Sequence, residues 1–234
     1  MNGDGFADLI VGASNATPNG VNRAGESYVI FGKASGFTAS IAAADLDGAD
    51  GFRLNGIDSG DYAGRAVSGA GDINGDGFED IVVGAYRAYE GYTSQSGQTY
   101  IVFGQSAAFN ASIDLGALDG SDGFLINGRG FVHLLGFDVS SAGDFNGDGW
   151  ADLFVGNYFI EYGGKLTVIS DATIVGANQT ARDYLLLNEG GKGFKDVYDD
   201  YGMDHRGFGF GGVFTDFDND GDQDLIVNND FGYK

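Results

Sequence analysis

The sequence predicts an all-β fold made of β-propeller blades, each a sheet of four antiparallel strands. Three observations lead there. Of 234 residues, 43 are Gly, 19 Phe and 12 Tyr, with one Pro and no Cys. Such Gly-rich stretches between β-branched and aromatic runs read as short strands joined by tight turns. No segment carries the apolar period of an amphipathic helix of ordinary length. The chain also repeats itself at a constant offset. "NGDGFADLIVGA" at Asn2–Ala13 returns as "NGDGFEDIVVGA" at Asn74–Ala85 and as "NGDGWADLFVGN" at Asn146–Asn157, each shifted by 72. A diverged copy, "DNDGDQDLIVNN", follows at the same offset at Asp218–Asn229.

The similarity extends past this motif. Residues 1–60 and 73–132 share 26 identities without a gap. "YVIFG" at Tyr28 matches "YIVFG" at Tyr100, and "LDGADGFRLNG" at Leu46 matches "LDGSDGFLING" at Leu118. In the second repeat the expected strands are Arg65–Ala70, Ile81–Ala85, Gln98–Phe103 and Gly123–Asn127, with an acidic loop at Asp72–Asp80 between the first two. A four-stranded sheet with two apolar faces needs a neighbour on each. The competing architecture is a β-solenoid, whose coils are much shorter than this repeat. The third repeat departs from the pattern. Its third strand is either Thr173–Val175, which keeps the register, or Asp183–Leu187, which leaves 163–180 as an insertion. We favour the second, because Phe194 then opens the fourth strand after a Gly-rich turn. The expected blades are 1–63 (lacking its first strand), 64–135, 136–207 and a partial 208–234, about three and a quarter repeats.

With 34 acidic and 12 basic residues, the net charge is −22. This argues against nucleic-acid partners and against adhesion to anionic membranes. The lack of Cys excludes a disulfide scaffold and a thiolate zinc site. No apolar run has the length of a membrane span. Met1 leads directly into "NGDGFAD", so no signal peptide is expected in this chain.

The acidic positions suggest a cation. Counting from Asp72, side-chain oxygens fall at positions 1, 3, 5 and 9: Asp72, Asn74, Asp76 and Asp80. Gly77 at position 6 permits a sharp turn with positive φ. That turn aims the carbonyl of Phe78, at position 7, inward. Hard oxygens at alternating positions of a tight loop suit Ca²⁺ better than Mg²⁺. An EF-hand is excluded, because position 12 is Val83, Val155 or Val227 rather than Glu, and no flanking helices are expected. Plain Asx-rich hairpin turns would explain one copy, but not four at fixed spacing.

"DINGDGFEDIVVGA" followed by "YIVFG" resembles the FG-GAP repeats of integrin α-type β-propellers. The FG elements are Phe31-Gly32 and Phe103-Gly104, and the GA elements are Gly12-Ala13 and Gly84-Ala85 without the family's Pro. The C-terminal stretch "LLLNEGGKGFKDV…TDFDNDGDQDLIVNN" is more similar to VCBS-type repeats. The resemblance implies that each loop joins the first two strands of a blade and binds Ca²⁺. Carried over residue by residue, the third loop's ligands are Asp144, Asn146, Asp148, Asp152 and the Trp150 carbonyl. The fourth loop's are Asp216, Asp218, Asp220, Asp224 and the Asp222 carbonyl. The first loop keeps Asn2, Asp4, Asp8 and the Phe6 carbonyl but has no residue at position 1. Three strong calcium sites and a weak or absent N-terminal one are therefore expected. The family's propellers close as rings of about seven blades, so this incomplete set implies a piece of a larger propeller, closure with partner chains, or open edges that pair with other copies.

Catalytic residues are not apparent, and the expectation is a non-enzyme. No G-x-S-x-G elbow occurs. His133 and His205 share the repeat offset, which reads as linker positions and not as a catalytic pair. "GFGFGG" at Gly207 leads into an acidic loop and not a helix, so it is not a dinucleotide motif. Candidate ligand-face residues lie opposite the acidic loops: Tyr86, Arg87, Tyr89 and Tyr92 in one connection, Tyr158, Phe159 and Tyr162 in another. Exposed aromatics with polar groups suit protein or glycan recognition. The expected function is a calcium-binding extracellular or cell-surface module for adhesion or recognition. The alternatives are a self-assembling surface protein and an accessory propeller of a larger secreted enzyme.

Overall fold

The structure is a computed structural model that describes residues 1–89, 95–128, 134–157, 182–203, 209–218 and 223–229. No α-helix occurs among them. The strands are β1 (Leu9–Ala13), β2 (Glu26–Ile30), β3 (Gly51–Asn55), β4 (Val67–Gly71), β5 (Asp80–Ala85), β6 (Gln98–Val102), β7 (Ser112–Asp114) and β8 (Gly123–Asn127). They continue as β9 (Asp138–Gly143), β10 (Asp152–Gly156), β11 (Tyr184–Asn188), β12 (Phe194–Asp196), β13 (Gly209–Thr215) and β14 (Asp224–Asn229).

Two sheets are complete antiparallel blades, ordered β4-β5-β6-β8 and β9-β10-β11-β12. β1-β2-β3 form a blade without its first strand, and β13-β14 pair as the first two strands of a fourth. The repeat extends to register. Leu9 faces Ile30 across β1 and β2, and Ile81 faces Val102 across β5 and β6. In the third blade Leu153 faces Leu186, a pair more widely separated along the chain, so the connection between these strands is longer there. The third strand falls at Tyr184–Asn188, one position on from the favoured Asp183–Leu187. Thr173–Val175 and the expected insertion at 163–180 lie outside the described residues.

Strand alternation gives each blade two apolar faces, and stacking buries them. The front of the second blade presents Ile81, Val83, Tyr100 and Val102, none more than 4% exposed. They pack on Val29, Phe52 and Leu54 from the first blade. The back of the second blade, Val82 and Ile101, meets Val139, Leu153 and Val155. The back of the third, Phe154 and Leu185, meets Phe214, Leu225 and Val227 of the last pair. The innermost strands β4, β9 and β13 lie side by side. The four sheets do not close into a ring. The front of the first blade is bare, with Leu9 56% and Val11 42% exposed, although the equivalent Ile81 and Val83 are buried. Val213 and Ile226, on the back of the last pair, are also exposed.

One strand lies outside the four expected in its repeat. β7 leaves the second repeat and pairs in parallel with β3, at the outer edge of the first blade. Its approach is anchored by Phe109, which stacks on Phe52 at 4.4 Å and tilts against Phe31 at 5.6 Å. An uncovered outer edge would leave β3 with unpaired backbone groups. This strap supplies them with partners.

Candidate metal sites in the acidic loops

The loops at Asp72–Asp80 and Asp144–Asp152 fold almost identically, each joining the first two strands of a complete blade. Asp72 Oδ1 accepts the backbone N–H of Gly75 and Asp76, and Oδ2 accepts that of Gly77 at 2.8 Å. Asp144 does the same for Asp148 and Gly149, both at 2.9 Å. Asn74 Oδ1 accepts from Asp76 N–H, and Asn74 Nδ2 donates to Asp76 Oδ2. Asn146 and Asp148 repeat the pair. Asp76 Oδ1 accepts from Phe78 N–H, and Asp148 Oδ1 from Trp150 N–H. Gly77 has φ 88° as expected, and Gly75 at position 4 has φ 75°, which the sequence reading had not identified. Side chains are disfavoured at both angles.

Position 9 has a second duty that the sequence reading missed. Asp80 is 1% exposed and uses both oxygens for backbone amides. Oδ2 accepts from Ile73 inside its own loop, and Oδ1 accepts from Gly104, the glycine of "FG", each at 2.8 Å. Asp152 accepts from Phe145 and Asn188 in the same way. Asp8 accepts from Gly32. The carboxylate staples its loop to the end of the third strand. Gly104 is required there because a Cβ would lie 2.4 Å from the Glu79 carbonyl oxygen. The available signal was the constant Asp-to-Gly spacing of 24, from Asp8 to Gly32 and from Asp80 to Gly104. In the third blade Asn188 takes over and also donates to the carbonyls of Ile73 and Ala151, tying two blades together.

Position 7 is also more than a carbonyl donor. The Phe78 ring lies against Gly3 of the preceding loop, where a Cβ would come within 2.4 Å of it. The Trp150 ring covers Gly75 in the same manner. Each ring caps the loop of the blade before it. Phe6, at the same position of the first loop, is 48% exposed.

Negative charge accumulates in these loops. Burial first, and the Asp76 and Asp72 charges after it, push the Asp80 carboxyl up to about 6 against its two amide bonds. Burial also raises Asp152, with Asp148 adding to it. Among the described residues, none of the aspartates of these two loops makes an ion pair. Each carboxylate keeps acceptor capacity beyond the amides it binds. The donor set of hard oxygens fits a divalent cation of the calcium type by its chemistry, but in these two loops the three carboxylates, turned onto backbone amides, do not bring ligand oxygens within 4.8 Å of one another. In the fourth loop Asp216, Asp218 and Asp224 bring ligand oxygens within 4.8 Å of one another, the spacing a single ion spans. Asp220 and Asp222 lie outside the described residues. In the first loop Asn2 and Asp4 keep the paired geometry. There the Met1 ammonium sits 3.1 Å from Asp8, where the other loops place an amide.

The opposite rim holds the candidate ligand-face residues. Tyr86 is half-buried, tilted against Tyr62 at 5.8 Å and edge-on to Phe137 at 5.4 Å, so it partly serves as packing. Arg87 lies over Tyr62 and Tyr86. Tyr89 is 46% exposed. Tyr92, Tyr158, Phe159, Tyr162, His133 and His205 lie outside the described residues. No helix among the described residues is long and apolar enough to cross a membrane.

Comparison with known proteins agrees with the geometry. The FG-GAP repeat family matches residues 1–30, 63–102 and 136–169. The match ends before the stretch that resembles VCBS-type repeats. The chain is 31% identical to bovine phosphatidylinositol-glycan-specific phospholipase D over 185 residues, 79% of this chain and 21% of that protein. It is 30% identical to Xenopus laevis integrin alpha-4 over 161 residues, 68% of this chain and 13% of that protein. With chicken integrin alpha-V the identity is 28% over 165 residues, 69% of this chain and 14% of that protein. The chain thus spans about a fifth or less of the length of these relatives. The chain therefore carries FG-GAP repeats, is similar to integrin α chains and to this phospholipase D, and its repeats fold as β-propeller blades that do not close into a ring among the described residues.

Proposed function

We propose that this chain is a calcium-binding propeller segment that recognises a protein or glycan ligand outside the cell. The observation that carries this reading is the duplicated loop geometry, with carboxylates gathered at one rim and no cationic partner for either loop among the described residues. Ca²⁺ would be held by Asp72, Asn74, Asp76, Asp80 and the Phe78 carbonyl. A second ion would take Asp144, Asn146, Asp148, Asp152 and the Trp150 carbonyl, and a third the loop of Asp216, Asp218 and Asp224. The ion would supply positive charge that offsets carboxylate repulsion at the loop. Extracellular calcium modules of this kind bind at about 10⁻⁴–10⁻³ M, useful outside cells and not in a low-calcium cytosol. The similarity to integrin α chains supports adhesion or recognition. The longer match to the phospholipase D supports a second reading, a non-catalytic propeller accompanying a secreted enzyme.

Calorimetric titration of chelator-treated protein with CaCl₂ tests the calcium reading. Three sites are expected, with the first loop weak or empty. Folded protein that takes up no calcium overturns it.

A further inference from the structure

The rim opposite the acidic loops carries a cluster that the repeat does not demand. Tyr62 and its equivalent Leu134 share a left-handed backbone, with φ 57° and 55°. The backbone is repeated and the side chain is not. Arg87 stands where the first repeat has Asn15, Tyr86 where it has Ser14, and Arg65 where the third repeat has Phe137. These departures come together in space. Arg23 Nη1 donates to the Tyr62 hydroxyl at 3.3 Å. The Arg87 guanidinium lies over the rings of Tyr62 at 5.1 Å and Tyr86 at 5.4 Å. Arg65 lies over Phe137 at 4.7 Å, and Phe137 meets Tyr86 edge-on.

The charge arrangement is the reverse of what the composition suggests. The chain has 34 acidic and 12 basic residues. Yet among the described residues Arg23, Arg65 and Arg87 make no ion pair, and Arg65 feels the Asp138 charge only at a distance. Aromatic rings hold the guanidiniums instead. Such stacking fixes a guanidinium without neutralising it and lowers the ordering cost of a later contact. The fork that remains matches a carboxylate bidentately.

We propose that this rim binds an acidic segment of a protein partner, whose carboxylates pair with Arg87, Arg65 and Arg23 while Tyr86 and Tyr89 flank them. The proposal rests on the recognition reading above and names the chemistry of the ligand. A peptide is favoured over a glycan because guanidiniums already occupy faces of Tyr62, Tyr86 and Phe137, where sugar rings would stack. Tyr and Arg are also the residues that dominate protein–protein hot spots.

The test is fluorescence anisotropy of a labelled peptide of alternating Asp and Gly, titrated with the whole chain in calcium-saturated buffer and again in chelator. Binding that weakens with salt is expected. Arg87→Gln and Arg65→Gln should each weaken it about tenfold or more. Arg87→Lys should weaken it too, because the fork is lost, and Lys33→Gln should leave it unchanged. Arg23→Gln, at an exposed position, gives the same readout should an inner variant fail to fold. Peptide affinity unchanged in the arginine variants overturns the proposal. So does calcium-saturated protein that ignores the peptide, or that binds an oligogalacturonate more tightly at this rim. Calcium uptake without peptide binding defeats this inference alone, and peptide binding without calcium uptake defeats the calcium reading alone.

Discussion

Phe109 and Phe37 occupy the same position of successive repeats and meet opposite fates. Phe109 is 6% exposed and packs between Phe52 and Phe31, while Phe37 is 56% exposed. Phe109→Ala should therefore be costly and Phe37→Ala mild. A buried Phe removes roughly 150–200 Å² from water, or about 4–5 kcal/mol at about 25 cal/mol per Å². Truncations of buried Phe cost about 3–5 kcal/mol. Phe37 has less than half of that burial to lose, so its truncation should cost at most about 2 kcal/mol. In a chain of this size about 1 kcal/mol moves Tm by about 2–4 °C. Phe109→Ala should then lower Tm by roughly 8–15 °C, against a few degrees for Phe37→Ala. Thermal unfolding followed by circular dichroism, with calcium held constant, reads both variants. Equal shifts in the two would show that the strap from the second repeat does not clamp the first blade, and the account of β7 would fail.

Asp80→Ala in chelator should destabilise by about 2–5 kcal/mol by orphaning the Ile73 and Gly104 amides, whereas Asp76→Ala, in the exposed part of the loop, should cost much less without calcium. Equal melting of the two apo variants would remove the staple from position 9. Gly104→Ala should cost about 1–3 kcal/mol, because its Cβ would overlap the Glu79 carbonyl, while Gly69→Ala, with open space around it, should be nearly neutral; urea denaturation compares them. Burial raises the carboxyls of Asp61 and Asp80 to about 6 and that of Asp183 to about 7. The native state then holds more protons than the unfolded chain between about pH 4 and 7, so stability falls as pH rises through that window. Chelated protein should melt higher at pH 5 than at pH 8. The Asp80 share of that gain should vanish in saturating calcium, and a flat apo profile would show that these carboxyls titrate normally.

The sequence by itself determined the blade and its loop. Residue identity at a fixed period places Ile81, Val83, Leu153 and Val155 on equivalent faces, because alternation along a strand is a local property. The oxygens at positions 1, 3 and 5 were legible for the same reason. They act within a turn of a few residues, and their hydrogen bonds are to nearby amides. Tertiary structure decided what depends on neighbours distant in the chain. It showed that Asp80 grips Gly104, that Phe78 and Trp150 each cap the loop before them, and that β7 returns to an earlier blade. It also distinguished residues that the repeat makes equivalent. Leu9 and Ile81, or Phe37 and Phe109, read alike in sequence and differ only in whether a neighbouring element covers them. Burial is a property of pairs of blades, and the repeat encodes one blade at a time.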